Sequence, residues 1–175
     1  TWTSIGQTGG GVNSRMELWY VQNPTVGTGH TFSASSATTY PSICIAAFSG
    51  SATTPVDVTS AGAIDPGTSV TTGSVTPIED NELIVSGFTR NANTDAVSID
   101  SGMTITNAIV LVADQHVNGV LAYKIQTTAA AINPTWTWTT STNAAAIIGT
   151  LKAAAAAAAN PAYQPWYHRA PVLAQ

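Results

Sequence analysis

Apolar and polar residues alternate along much of this chain with a period of two, the spacing of a strand that buries one face and wets the other. In Leu121–Gln126, Leu121, Tyr123 and Ile125 share one face, and Lys124 and Gln126 the other. In Thr135–Thr139, Trp136 and Trp138 point one way and the threonines the other. Leu83-Ile84-Val85 and Val110-Leu111-Val112 are continuous instead, the pattern of strands covered on both faces or ending at a subunit contact. Strand-like runs rich in β-branched and aromatic residues fall at 16–21, 30–35, 43–48, 68–72, 82–88, 103–106, 109–113, 119–126, 135–139 and 145–151. Turn signals separate them: Gly9-Gly10-Gly11, Asn23-Pro24, Gly27-Thr28-Gly29, Asp65-Pro66-Gly67, Asn118-Gly119 and Asn133-Pro134. No helical spacing is present before the C-terminal tail. The prediction is an all-β fold, an antiparallel β-sandwich of jelly-roll type with an extended C-terminal arm; a closed barrel is the alternative.

Composition sharpens the setting. The 175 residues suffice for one well-buried core, and 44% of them are apolar. Only 8% are charged, far below the roughly 25% of an ordinary soluble domain. Thr, Ser, Asn and Gly must therefore fill the solvent-facing positions, a surface suited to an extracellular or particle-bound protein. The 5 basic residues are scattered against 9 acidic ones, so no stripe exists to neutralise phosphates, and no nucleic-acid partner is expected. No apolar stretch reaches the 18 or so residues of a membrane span. The single Cys44 lies in the apolar run Ile43–Phe48 and reads as an inert thiol turned into the core.

Candidate chemistry is sparse. Glu79, Asp80 and Glu82 gather three carboxylates within four residues, the raw material of a Ca²⁺ site, but the spacing of a calcium loop is missing. A solvated turn guarding the apolar run that follows is the simpler reading, and no metal or other cofactor is expected. The histidines at 30, 116 and 168 are too dispersed for a zinc site. Asp114-Gln115-His116 places an acid near an imidazole, but residues two apart on a strand merely share a face, and no nucleophile elbow, metalloprotease helix or phosphate loop occurs. The expectation is a protein without enzymatic activity. Trp19, Trp136 and Trp138 are candidates for stacking on sugar rings; as amphipathic aromatics they serve equally well to fill a core short of Phe.

Glu17-Leu18-Trp19-Tyr20, Ala46-Ala47-Phe48-Ser49-Gly50, Pro55-Val56-Asp57, Glu82-Leu83-Ile84-Val85 and the closing Ala145–Lys152 occur in an order that resembles the β-sandwich domains of tailed-bacteriophage structural proteins and some bacterial surface proteins. The resemblance covers residues 2–152 and rests on strand and turn patterns. It implies a virion location, a role in capsid decoration or cementing or in a tail or fibre, and association with itself and with a major capsid or tail protein. A trimer is the first symmetry to test. The alternative it implies is a carbohydrate-binding or adhesin module whose partner is a glycan.

The sharpest change of composition falls at Lys152/Ala153, dividing a folded body (1–152) from an arm (153–175). Seven alanines are followed by three X-Pro steps, which disfavour helix. Tyr163, Trp166, Tyr167 and Arg169 are of the types that dominate binding hot spots, and Val172 and Leu173 add an apolar end. These six are the expected partner-binding residues, docking the arm onto a neighbouring subunit.

Overall fold

The computed structural model describes residues 1–9, 14–25, 27–33, 41–91, 95–109 and 117–155. Eight strands are present among them, and no helix: β1 (Thr3–Thr8), β2 (Met16–Tyr20), β3 (Ser51–Thr71), β4 (Glu82–Asn91), β5 (Ser98–Ile99), β6 (Thr104–Ile109), β7 (Val117–Gln126) and β8 (Thr135–Ala153). All pairings are antiparallel. β1 and β2 form a two-stranded sheet, and the other six form a second sheet in the order β3-β8-β4-β7-β6, with β5 added to β8. The all-β class follows from the composition: β-branched and aromatic residues suit a pleated half-buried surface, and no stretch of the body has helical spacing.

Several predicted strands merge. The runs at 135–139 and 145–151 are one 19-residue strand, β8, and the run at 68–72 is the end of the 21-residue β3. Asp65-Pro66-Gly67, expected to end a strand, instead bends one. The β3–β8 ladder jumps from Ile64↔Ala144 to Gly67↔Thr142 and then to Ser69↔Thr137, so the ribbon is bulged on both strands. A bulge sharpens the local twist and tolerates a proline without a free N–H. Beyond this corner the ribbon folds back: a Cβ on Gly62 would run into the carbonyl oxygen of Thr71, and one on Gly73 into Ser60 Oγ. Gly73 also has φ +79°, a conformation that favours glycine.

The run at 43–48 forms no ladder. It is an extended segment laid across the sheet, with Cys44 and Ala46 turned inward and Ile43 and Phe48 exposed. Residues 30–33 likewise join no strand, and 110–113 lie outside the described residues.

β4 and the second half of β8 are covered on both faces. On one face Ile84 and Phe88 of β4 meet Ala144, Ala146 and Ile148 of β8, Val120 and Ala122 of β7, and the two indoles from the folded-back half of β8. On the other, Val85, Leu121, Ile147 and Leu151 meet Leu18, Met16 and Ile5 of the β1–β2 hairpin and Cys44 of the crossing segment. Glycine makes these approaches close: a Cβ at Gly149 would lie 2.9 Å from Ile5 Cγ2, one at Gly119 2.7 Å from Ser42 Oγ, and one at Gly87 would strike Met16 Cε.

Candidate functional site

The three tryptophans separate. Trp136 has no exposed surface and Trp138 only 6%. Trp136 stacks on Phe88 (centroids 5.0 Å apart, 19° between planes) and its Nε1 donates to Ser86 Oγ at 2.9 Å. Trp138 packs at 5.3 Å against the same Phe88. Their faces are taken by the core, which leaves neither of them to a sugar. The alternation of Thr135–Thr139 is as expected; what fills the indole side is β4, brought there by the bent ribbon.

Trp19 is different, with 47% of its surface exposed. On β2 it alternates with the buried Leu18, so it faces away from the large sheet. Its Nε1 donates to Glu17 Oε2 at 2.9 Å, Glu17 pairs with Arg15 at 2.6 Å, and Arg15 also donates to Gln7 Oε1 across the hairpin. The result is a strip of one indole, one carboxylate, one guanidinium and one amide on a two-stranded sheet. Nearby in sequence, Trp2 and Phe32 meet edge to face at 6.3 Å, each about half exposed (48% and 50%).

The acidic turn does not gather its carboxylates. Glu79 is exposed; Asp80 points across to β7's exit, where its Oδ1 accepts the Ala129 N–H at 2.7 Å. Glu82, the first residue of β4, turns inward and has no exposed surface. Alternation explains it: Glu82 shares its face with Ile84, Ser86 and Phe88, all buried. Among the described residues no group of three or more His, Cys, Asp or Glu lies close enough to hold a metal ion. Burial above all pushes the Glu82 carboxyl above its ordinary value, and the charge of Asp57 adds to the rise against opposing hydrogen bonds from Thr150 and the Glu79 N–H.

A second buried charge, not singled out in the sequence, is Arg90 on β4, with 1% of its side chain exposed. It pairs with Asp95 and also donates to the Asp95 carbonyl oxygen. Asp95 Oδ2 accepts the N–H groups of Thr139 and Thr140 (2.8 and 2.9 Å) and the Thr139 hydroxyl. Desolvation works to raise the Asp95 carboxyl, but these hydrogen bonds and Arg90 together hold it well below the usual carboxylate range. Asp95 thereby fixes the middle of β8 to the end of β4. The signal was a lone Arg near the end of an apolar strand with an Asp five residues on; its burial depends on the folded ribbon.

Cys44 is half-buried and its Sγ donates to the Gly119 carbonyl oxygen at 3.3 Å. A shallow depression lined by Ser101, Lys124, Gln126, Thr128 and Asn133 opens beside β7. No helix among the described residues is long and apolar enough to cross a membrane. Tyr163, Trp166, Tyr167, Arg169, Val172 and Leu173 lie outside the described residues, as do Asp114, His116 and His168. β8 ends at Ala153, one residue past the compositional boundary.

The chain matches no known protein family, curated protein or solved structure.

Proposed function

We propose that this chain is a non-enzymatic structural module of a virion, a capsid decoration or cement protein or a component of a tail or fibre, that associates with itself and with a capsid or tail protein. The observation that carries the reading is apolar surface left at the periphery of a body with few charges. Trp2, Phe32, Phe48, Ile43 and Ile125 each keep 41–51% of their surface in solvent. Of these, Trp2 and Phe32 touch each other, and exposed aromatic pairs of this kind are candidates for cover by a partner. The Pro/aromatic segment at 160–175 supplies further hot-spot residues on the same chain. Nested pairing, β3 with β8 outside β4 with β7, together with the folded-back outer ribbon, supports the finer reading of the body as a jelly-roll-type sandwich.

The test is assembly. Sedimentation of the full chain is compared with a chain ending at Ala155 and with a Trp2→Ser/Phe32→Ser variant. Loss of the oligomer or of particle binding in either supports the proposal; three identical sedimentation profiles and unchanged particle binding overturn it.

Trp19 favours a second reading, a glycan-binding or adhesin module. An exposed indole whose Nε1 is held by Glu17, beside Arg15 and Gln7, offers a stacking face with polar groups at its rim. A glycan array run on the wild type and on Trp19→Ala discriminates: a sugar signal lost in the variant supports it, and no signal in either removes it.

A further inference from the structure

Two carboxyl groups from different strands converge on consecutive amides of the turn that leads into β4. The Ile78 N–H donates to Asp57 Oδ2 at 3.0 Å and the Glu79 N–H to Glu82 Oε1 at 3.1 Å. Asp57 arrives from β3. On β8, the Thr150 hydroxyl lies 3.5 Å from the same Asp57 oxygen and itself accepts the Val58 N–H at 3.3 Å. The second oxygen of Glu82, Oε2, is buried without a hydrogen-bond partner. An ionised Glu82 would thus keep this oxygen buried and out of water, with a second carboxylate beside it, two conditions that oppose ionisation and outweigh the hydrogen bonds from Thr150 and the Glu79 N–H.

We propose that Glu82 carries a proton in the folded protein, so that Glu82 and Asp57 together latch the 78–81 turn to β3 and β8, and that the latch opens as the pH rises. The groups facing Glu82 agree with this. From β3 it meets Asp57; from the turn, Glu79 and Asp80, both exposed; from β8, the uncharged Thr150. From β7 its register partner is Gln126, whose amide is engaged with the Ala130 carbonyl oxygen at 2.5 Å. Lys124, next on that face, donates to the Ser101 carbonyl oxygen at 3.0 Å, and Lys152 of β8 forms no ion pair among the described residues. Among the described residues, neither Lys124 nor Lys152 is in place to neutralise an ionised pair. The turn so held presents Ile78, 65% exposed, at the end of the sheet, so the latch governs how rigidly that apolar side chain is offered.

The sign follows from the raised carboxyl. Its stabilising contribution is complete below the ordinary value of 4.5 and is lost as pH rises through the folded-state value. Within that window the folding equilibrium weakens by up to about tenfold per pH unit, one proton's worth. Asp95 acts in the opposite sense and in a separate window: its contribution is present above 3.8 and fails only as pH falls further.

The experiment is denaturant unfolding of the full chain from pH 4.5 to 8, on wild type, Glu82→Gln and Asp57→Asn. The expected result is a declining wild-type stability that flattens in Glu82→Gln. Amide hydrogen exchange at Ile78 and Glu79 in the wild type, corrected for intrinsic pH dependence, is expected to lose protection over the same window, a readout that needs no variant to fold. Carboxyl-resolved NMR of the wild type is expected to find Glu82 titrating above 4.5. A Glu82 that titrates at or below that value overturns the proposal. So does exchange protection independent of pH, or stabilisation at pH 7 by added Ca²⁺ that Glu82→Gln abolishes, which would make the pair an ionised cation site.

Discussion

Arg90 and Asp95 show how one residue can be held by a charge it rarely tolerates. A guanidinium taken out of water is retained only if its partners are in place, and removing a partner leaves the charge stranded. Asp95→Ala is therefore expected to destabilise the fold by about 3–5 kcal/mol, whereas Asp95→Asn, which keeps an acceptor for Thr139 and Thr140, costs less; urea unfolding at pH 7 measures both. Because the Asp95 carboxyl is held low, its stabilisation is present above the ordinary 3.8 and drains as pH falls below it, so the wild type but not Asp95→Asn is expected to show this component of acid unfolding. Phe88 is the other pivotal residue, lying between Trp136 and Trp138. Phe88→Ala is expected to cost about 3–5 kcal/mol, visible as a lower urea midpoint and a changed tryptophan emission.

At the scale of elements, the β1–β2 hairpin depends on the absence of a side chain. Met16 Cε occupies the place a Cβ at Gly87 would take. Gly87→Ala is expected to lower stability by about 1–3 kcal/mol, and adding Met16→Ala to recover part of it; a double-mutant cycle by thermal melting checks the coupling. Strands β2, β4 and β7 were legible to within three residues at each end, because their alternation or continuous apolar runs coincide with their ladders. β1 and most of β3 were not. Ser51–Gly67 is rich in Thr, Ser, Ala and Gly, and its strand form comes from the ladder with β8 rather than from any apolar periodicity. Ile43–Phe48 failed in the other direction: it has the composition of a strand, but lies across the sheet face instead of joining an edge.

At the scale of the molecule, β4 and β8 are covered on both faces by the described residues while aromatic surface remains outside. The full chain is expected to associate in a concentration-dependent way, and the chain ending at Ala155 to remain folded, since β8 closes at Ala153 and the Ala154 N–H is tied to Gly50 O at 2.7 Å. Sedimentation combined with circular dichroism checks both parts: an unfolded truncation would show that the segment beyond 155 belongs to the body.

By itself the sequence determined the all-β class, the alternation of the tryptophan strand and the strand at Leu83–Val85, because each depends on local periodicity or composition. Only the tertiary structure decided which tryptophan is left exposed, that Asp65-Pro66-Gly67 bends a strand instead of ending it, and that Glu82 and Arg90 lie buried beside Asp57 and Asp95. Their burial depends on contacts distant in sequence, such as Thr139 with Asp95 across 44 residues and Thr150 with Asp57 across 93. No local pattern encodes them; they exist only once the β3–β8 ribbon has folded back over β4.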